Sequence, residues 1–415
     1  MPLTFGQAFK NGIAGWHFEE SEIARVIEDS GILMLDMEFG RRCMLDCSYC
    51  FRANDVRDQL RDCPSPLQRE DVIHVINQAK EMGAKSIHFV GKGESLEEHD
   101  FLDIVHHVAK LGMIPLVFTA GHVLGDDTIA SDIHGMSAED IIKDLFDSNA
   151  SIILKVNSLN HRVQNEDVRR PTIRDANGAE RSWNYTQVRD TALERLMKAG
   201  FNRRDRNPTR LGIATVMLKS NLHELFHIYR YSRLLNIYPI INTVVPCGRT
   251  RNMTAVTEIS PTTEEKLELW KKVYSFNVEN GIRYEGVSSY VGGHICSQLG
   301  YAMYVNVFGD VFDCPSSTRR SLGNVKLNGT GTKRLSDMWK ASYLRKRFRD
   351  STDNGCPWRS CHPEIIPQGL FLSVHEYLKA KYHADHNVQE FVPPSHYYGT
   401  RPTAKAADVA VAASS

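Results

Sequence analysis

The chain has 415 residues, in which 50 lysines and arginines balance 50 aspartates and glutamates. That length accommodates one large domain plus a smaller one, and the even charge argues against nucleic acid or an anionic membrane as a partner. No run of about eighteen apolar residues exists and Met-Pro-Leu-Thr-Phe-Gly at the start lacks the basic head of a signal segment, so the sequence reads as cytoplasmic, neither secreted nor membrane-spanning.

Residues 3–31 mix apolar and charged residues at helical spacing and predict a leading helix or two. Ile32–Glu38 is a short apolar run suited to a buried strand, which delivers the stretch Cys43-Met-Leu-Asp-Cys47-Ser-Tyr49-Cys50-Phe51 from its C-terminal end. Helix Leu67–Met82, strand Ser86–Val90, helix Leu102–Leu111 and strand Ile114–Thr119 follow. Next come helix Met136–Asn149, opening on the capping pattern Ser137-Ala-Glu-Asp140, and strand Ser151–Lys155. Asn160–Trp183 is polar and aperiodic and reads as a loop or lid over the site. Helix Thr186–Gly200, strand Arg210–Met217, helix Leu222–Leu235 and strand Tyr238–Val244 complete six strands with intervening helices. This alternation predicts an α/β fold, a partial (β/α)6 TIM-like barrel, with active-site groups on the loops after the strands. Beyond helix Thr262–Asn280, the runs Ala302–Val307 and Asp310–Phe312 around Phe308-Gly309 predict a hairpin, followed by Leu322–Val325 and helix Leu335–Arg349. The expected division is an N-terminal helical segment (1–30), the barrel (31–285), a cysteine-rich α+β extension (286–365) and a C-terminal stretch (366–415) whose tail from Ala404 is expected to be disordered.

The nine cysteines are Cys43, Cys47, Cys50, Cys63, Cys247, Cys296, Cys314, Cys356 and Cys361, and in a reducing compartment they read as metal ligands or thiols rather than disulfides. A cubane [4Fe-4S] cluster is normally closed by four thiolates, so three cysteines in one loop imply a distant fourth ligand or an iron with an open position. A zinc site is the alternative, and would recruit a further Cys or His.

The CxxxCxxC spacing with Tyr49 before the last cysteine resembles the cluster motif of the radical S-adenosylmethionine (SAM) superfamily. The resemblance implies a [4Fe-4S] cluster on Cys43, Cys47 and Cys50, with SAM chelated to the open iron and cleaved reductively to a 5′-deoxyadenosyl radical. It also implies an external electron donor such as flavodoxin or ferredoxin. Gly91-Lys92-Gly93-Glu94-Ser95 resembles the family's Gly-Gly-Glu-Pro segment, with Lys92 in place of a glycine and Ser95 in place of the proline. Thr119-Ala-Gly121-His122 resembles its Thr-Asn-Gly, and Asn157 and Ser158 lie where the family often places a ribose contact. Tyr49, Phe51, Gly91, Lys92, Gly93, Glu94, Thr119, Asn157, Ser158 and Lys219 are thus the candidate cofactor contacts. Lys155 and Lys219 are candidates for the SAM carboxylate or substrate anions, or are merely solvated. Arg41 and Arg42 flank the loop and either serve it or are likewise solvated. Glu38, Lys155 and Asp313 lie near places open to substrate, with Glu38 and Lys155 the candidate catalytic groups, whereas His88 and His122 read as hydrogen-bonded scaffold.

Cys296, Cys314, Cys356 and Cys361 supply the four ligands of one complete tetrathiolate site, with Cys247 as a possible substitute. With Gly309, Gly323-Asn-Val and the Trp339 helix, they resemble the twitch and SPASM extensions of radical SAM enzymes, which implies one auxiliary [4Fe-4S] cluster. A structural zinc is the alternative reading of the same ligands. The resemblance covers about residues 30 to 365 and suggests oxidation of a small-molecule substrate: a sugar, aminocyclitol or related natural-product precursor. A peptide-modifying enzyme, an epimerase using Cys247 or Cys63 as hydrogen donor, and a zinc-stabilised binding module are the alternatives.

Overall fold

The computed structural model describes residues 12–40, 42–51, 65–169, 172–174, 180–206, 208–244, 248–250, 253–280, 282, 298–315, 321–327, 332–350, 377 and 380–381. Arg41, Cys63, Cys247, Cys296, Cys356, Cys361 and the tail from Ala404 lie outside them.

The alternation expected for the barrel is present. Helix α1 (Glu20–Asp29) is followed by β1 (Met34–Met37), α2 (Arg69–Glu81), β2 (Ser86–Phe89), α3 (Phe101–Lys110) and β3 (Ile114–Thr119). Then come α4 (His122–Gly125), α5 (Asp127–His134), α6 (Ala138–Asp147), β4 (Ser151–Lys155), α7 (His161–Val168) and the ribbon β5 (Thr172–Arg174) with β6 (Glu180–Ser182). Helix α8 (Tyr185–Lys198), β7 (Leu211–Met217), α9 (Leu222–Leu234), β8 (Tyr238–Thr243), α10 (Met253–Ile259) and α11 (Thr263–Glu279) follow. The described C-terminal part holds β9 (Ala302–Val305), β10 (Asp310–Phe312), β11 (Gly323–Asn324), α12 (Leu335–Ala341) and α13 (Tyr343–Asp350).

The helices form where apolar residues recur at one face. In α2, Val72, Val75, Ile76 and Ala79 are buried at the i, i+3, i+4, i+7 positions of a helical stripe. Ser137 caps α6 as its sequence pattern predicts, its Oγ accepting from the Asp140 N–H at 3.1 Å.

Strands β1, β2, β3, β4, β7 and β8 lie in that order, each parallel to the next, and the sheet does not close. Side chains of one face, such as Leu35, Ile87, Val117, Ile152 and Leu154, join the helices in the main core. The other face holds a smaller cluster of Leu116, Ile153, Tyr238 and Ile240 packed around Ile13. The helix expected within residues 3–31 is α1, and the described residues before it, 12–19, are not helical. Ile13 bridges to Thr209, and Ser86 and Ser151 donate to the Gly15 and Ala14 carbonyls at 2.5 and 2.8 Å. Because both serines begin their strands, the segment around Ile13 plugs the N-terminal end of the half-barrel. His88 is scaffold, as its sequence context suggests: its ring lies 3.1 Å from the Asp36 carboxylate and 2.8 Å from the Gly15 carbonyl.

Between β3 and α6 the chain forms α4 and α5, with Asp126 capping α5 through the Thr128 and Ile129 N–H groups. The polar insertion carries α7 and the β5–β6 ribbon in place of an unstructured lid.

The hairpin expected near residue 309 exists, with Gly309 at φ +84°. Its first strand β9 pairs in parallel with β1, Met34 opposite Ala302, so the extension continues the barrel's own sheet beyond its first strand. Among the described residues, no helix is long and apolar enough to cross a membrane.

Candidate active site

Parallel pairing puts the C-terminal ends of the six barrel strands at one end of the sheet, so the loops that follow them gather there. The cysteine loop after β1 is held from four sides. From the β2 end, the Glu94 N–H donates to the Arg42 carbonyl at 2.7 Å and Ser95 Oγ to the Phe39 carbonyl at 2.6 Å. Gly93 must lack a side chain here, because a Cβ would stand 2.3 Å from the Arg42 carbonyl oxygen. The close approach requiring this glycine is therefore to the cysteine loop's own backbone.

The second clamp runs through Glu97. Its Oε1 accepts the Met44 N–H at 2.6 Å and faces His122 Nε2 at 2.8 Å, tying the loop to the β3 end. Burial works against charge on His122, but the Glu97 bond and the charges of Glu97 and Glu94 outweigh it and raise its pKa above the ordinary imidazole value. Burial likewise pushes the Glu94 carboxyl up, opposed by His122 and by bonds from the Ala120 N–H, at 2.7 Å, and Thr119. Helix α7 is the third clamp, its Val168 and Asp167 carbonyls accepting the Asp46 and Ser48 N–H groups at 3.1 and 2.9 Å. The fourth is Arg249 after β8. Its backbone N–H donates to the Cys50 carbonyl and its Nη1 to the Asp46 carbonyl, both at 3.1 Å, while Nη2 pairs with the Asp46 carboxylate.

Within this frame Cys47 is buried, Cys50 half-buried and Cys43 exposed. Lys155 ends β4 and reaches the loop, its Nζ 2.8 Å from Cys47 Sγ and 4.6 Å from the Tyr49 ring centroid. Phe51 is 39% exposed at the loop's end.

The other candidates divide into those beside the loop and those engaged elsewhere. Gly93 and Glu94 abut it, whereas Gly91 packs on the Gly93 backbone and Lys92 lies 5.0 Å from the Phe308 ring. Thr119 Oγ1 accepts the Gly121 N–H at 2.9 Å. Asn157 and Ser158, both fully buried, share Gln164 Oε1 through their N–H groups, and Ser158 Oγ donates to Glu224 at 2.6 Å. Lys219 is exposed and donates to the Thr257 carbonyl at 2.9 Å. Glu38 is buried, accepting from the Tyr304 hydroxyl and, at 3.1 Å, from the Val307 N–H, so it fastens β1 to the C-terminal hairpin. Asp313 is buried between the Ser342 hydroxyl and Arg345, beside the half-buried Cys314.

Sequence reasoning passed over Glu97, Arg249, Gln164, Asp167 and Arg189. Only the first two carried a signal: Glu97 lies three residues beyond Glu94 in the same turn, and Arg249 follows the sixth strand directly.

Whether these residues fit a bound nucleoside-amino acid is tested by polar atoms that lack partners. Asn157 Nδ2, Gln164 Nε2, Arg189 Nη2 and Asp167 Oδ2 are buried without a hydrogen-bond partner. Each such group costs about 1–3 kcal/mol unless something pairs with it. These three donors and one acceptor, on the β4 end and on helices α7 and α8, have the polarity to complement a ligand with a carboxylate, hydroxyls and an amino group, as SAM has. Among the described residues no three Cys, His, Asp or Glu side chains converge as a single metal ion would require. A cubane instead spreads its thiolates over separate irons, which suits three cysteines along one wrapped loop.

A sequence profile of the Radical SAM superfamily matches residues 37–232, from the end of β1 into α9. No curated protein matches the chain. Among solved structures, native anSMEcpe with bound AdoMet is similar at a TM-score of 0.55 and 15% identity, covering 86% of this chain and 100% of that one. SuiB of Streptococcus suis, bound to precursor peptide SuiA, gives 0.51 at 14% identity over 80% of this chain and 70% of its own. The anSMEcpe structure with AdoMet and the Kp18Cys peptide gives 0.50 at 13%, covering 76% and 82%. At such identities the likeness is one of fold. The profile match, with the three-cysteine loop at the mouth of six parallel strands, identifies residues 37–232 as a radical SAM domain; members of that superfamily bind a [4Fe-4S] cluster and SAM.

Proposed function

We propose that the chain is a radical SAM oxidoreductase acting on a hydroxylated small molecule, a sugar, aminocyclitol or related natural-product precursor. The observation that carries its radical chemistry is the cysteine loop, held by the β2, β3, α7 and β8 ends. When bound, the cluster and SAM supply a 5′-deoxyadenosyl radical that takes a hydrogen atom from the substrate. The chain's part is to hold Cys43, Cys47 and Cys50 in place, to offer Asn157, Gln164, Arg189 and Asp167 to the nucleoside-amino acid, and to keep water from the buried Cys47 side. The finer assignment, net two-electron oxidation, rests on the second cysteine set. Cys314 follows β10, and with Cys296, Cys356 and Cys361 it would make a tetrathiolate auxiliary cluster able to accept an electron. A flavodoxin- or ferredoxin-like donor in a reducing cytoplasm is the matching electron source.

A second reading is modification of a peptide. It is favoured by the similarity in fold to SuiB bound to its precursor peptide and to anSMEcpe bound to a peptide. One experiment separates the two: anaerobic protein with reductant and SAM is offered pools of polyols and of peptides, and 5′-deoxyadenosine is measured. Formation above the substrate-free rate with a polyol, accompanied by a carbonyl product, is the expected result. Stimulation by peptides alone would replace the first reading with the second.

A further inference from the structure

We infer that Lys155 tunes the loop cluster, its ammonium standing at the Cys47 sulfur to raise the reduction potential of the [4Fe-4S] centre. The inference depends on the three-cysteine cluster and is independent of which substrate is oxidised.

Three observations carry it. Lys155 is the last residue of β4, which is paired on both sides by β3 and β7, so its backbone is fixed by the sheet. Its Nζ lies 2.8 Å from Cys47 Sγ, and the Tyr49 ring, its centroid 4.6 Å away, gives the cation a second fixed neighbour. Of the three ligands Cys47 is the buried one, so solvent screens this contact least. Adding an electron makes a cluster more negative, and a positive N–H donor held against a ligating sulfur stabilises the reduced form more than the oxidised one. Lysine suits this role because its charge is compact, whereas a guanidinium spreads its charge over a planar fork.

The test is an EPR-monitored redox titration of the anaerobically reconstituted full chain without SAM, comparing wild type with Lys155→Met and Lys155→Arg. The loop cluster's signal is identified as the one lost in Cys47→Ala. The expected result is a lower midpoint in Lys155→Met, with a smaller reduced fraction at any fixed poise, and a midpoint returned towards wild type in Lys155→Arg. An unchanged midpoint in Lys155→Met, with the cluster present at wild-type iron content, overturns the inference and leaves the radical SAM assignment intact. Failure of the wild-type chain to form the cluster overturns both. If Lys155→Met takes up no cluster, Lys155→Gln is titrated under the same criterion.

Discussion

Of the three cysteines proposed as ligands, Cys47 is buried and meets Lys155, so its removal should act most cleanly. Cys47→Ala is expected to abolish the loop cluster and reduce SAM cleavage to background while the fold is kept, as judged by iron and sulfide content, visible absorbance and circular dichroism. Asp167 offers a pH-dependent prediction. Burial pushes its carboxyl up from 3.8 to about 6 despite the nearby Lys155 charge. The folded chain thus holds a proton that the unfolded chain releases, so stability falls as pH rises from about 4 to about 6, and the penalty is complete above that. Asp167→Asn should therefore stabilise the ligand-free protein by about 1 kcal/mol near neutral pH, allowing for solvent screening, with the gain in Tm shrinking towards about pH 4. Thermal unfolding across that range checks it, and a gain that grows on acidification would contradict the sign. At this scale the three-cysteine motif is legible because its spacing is local in sequence. Glu97 and Arg249 were not, since they meet the loop from 53 and 203 residues away.

Among the elements, the β2 end and the cysteine loop approach closely at Gly93. Gly93→Ala would drive a Cβ into the Arg42 carbonyl, which is backbone and cannot swing aside. Because this crowding lies at the barrel mouth and not in the main core, the expected outcome is a folded protein with iron content several-fold below wild type; equal content would show that the loop can yield. Most helices were readable from apolar spacing, as in α2. Helix α7, His161-Arg-Val-Gln-Asn-Glu-Asp-Val168, was not, having only two apolar residues. It is stabilised by Asn160, which caps it through the Arg162 and Val163 N–H groups, and by lending its last carbonyls to the loop. Neither interaction leaves a periodic trace in the sequence.

For the whole molecule, strand order followed from the strand–helix alternation, but the pairing of β9 with β1 did not, because nothing in either strand's composition names its partner. The β9–β10 hairpin has its own fastener in Arg345, which is 4% exposed. It donates to the Leu299 and Asp313 carbonyls at 2.5 and 3.2 Å and to the Ala302 carbonyl, and pairs with the Asp313 carboxylate at 3.4 Å. Arg345→Met would strand a buried carboxylate and three carbonyls, so a loss of about 3–5 kcal/mol is expected in denaturant titration; a loss below about 1 kcal/mol would show the fastener to be dispensable. The β9–β1 contact also sets an order of events during synthesis. Glu38 waits for Tyr304, 266 residues later, so the strand feeding the cysteine loop emerges from the ribosome with one edge bare. Until the last third of the chain is translated, that edge is a template for aggregation.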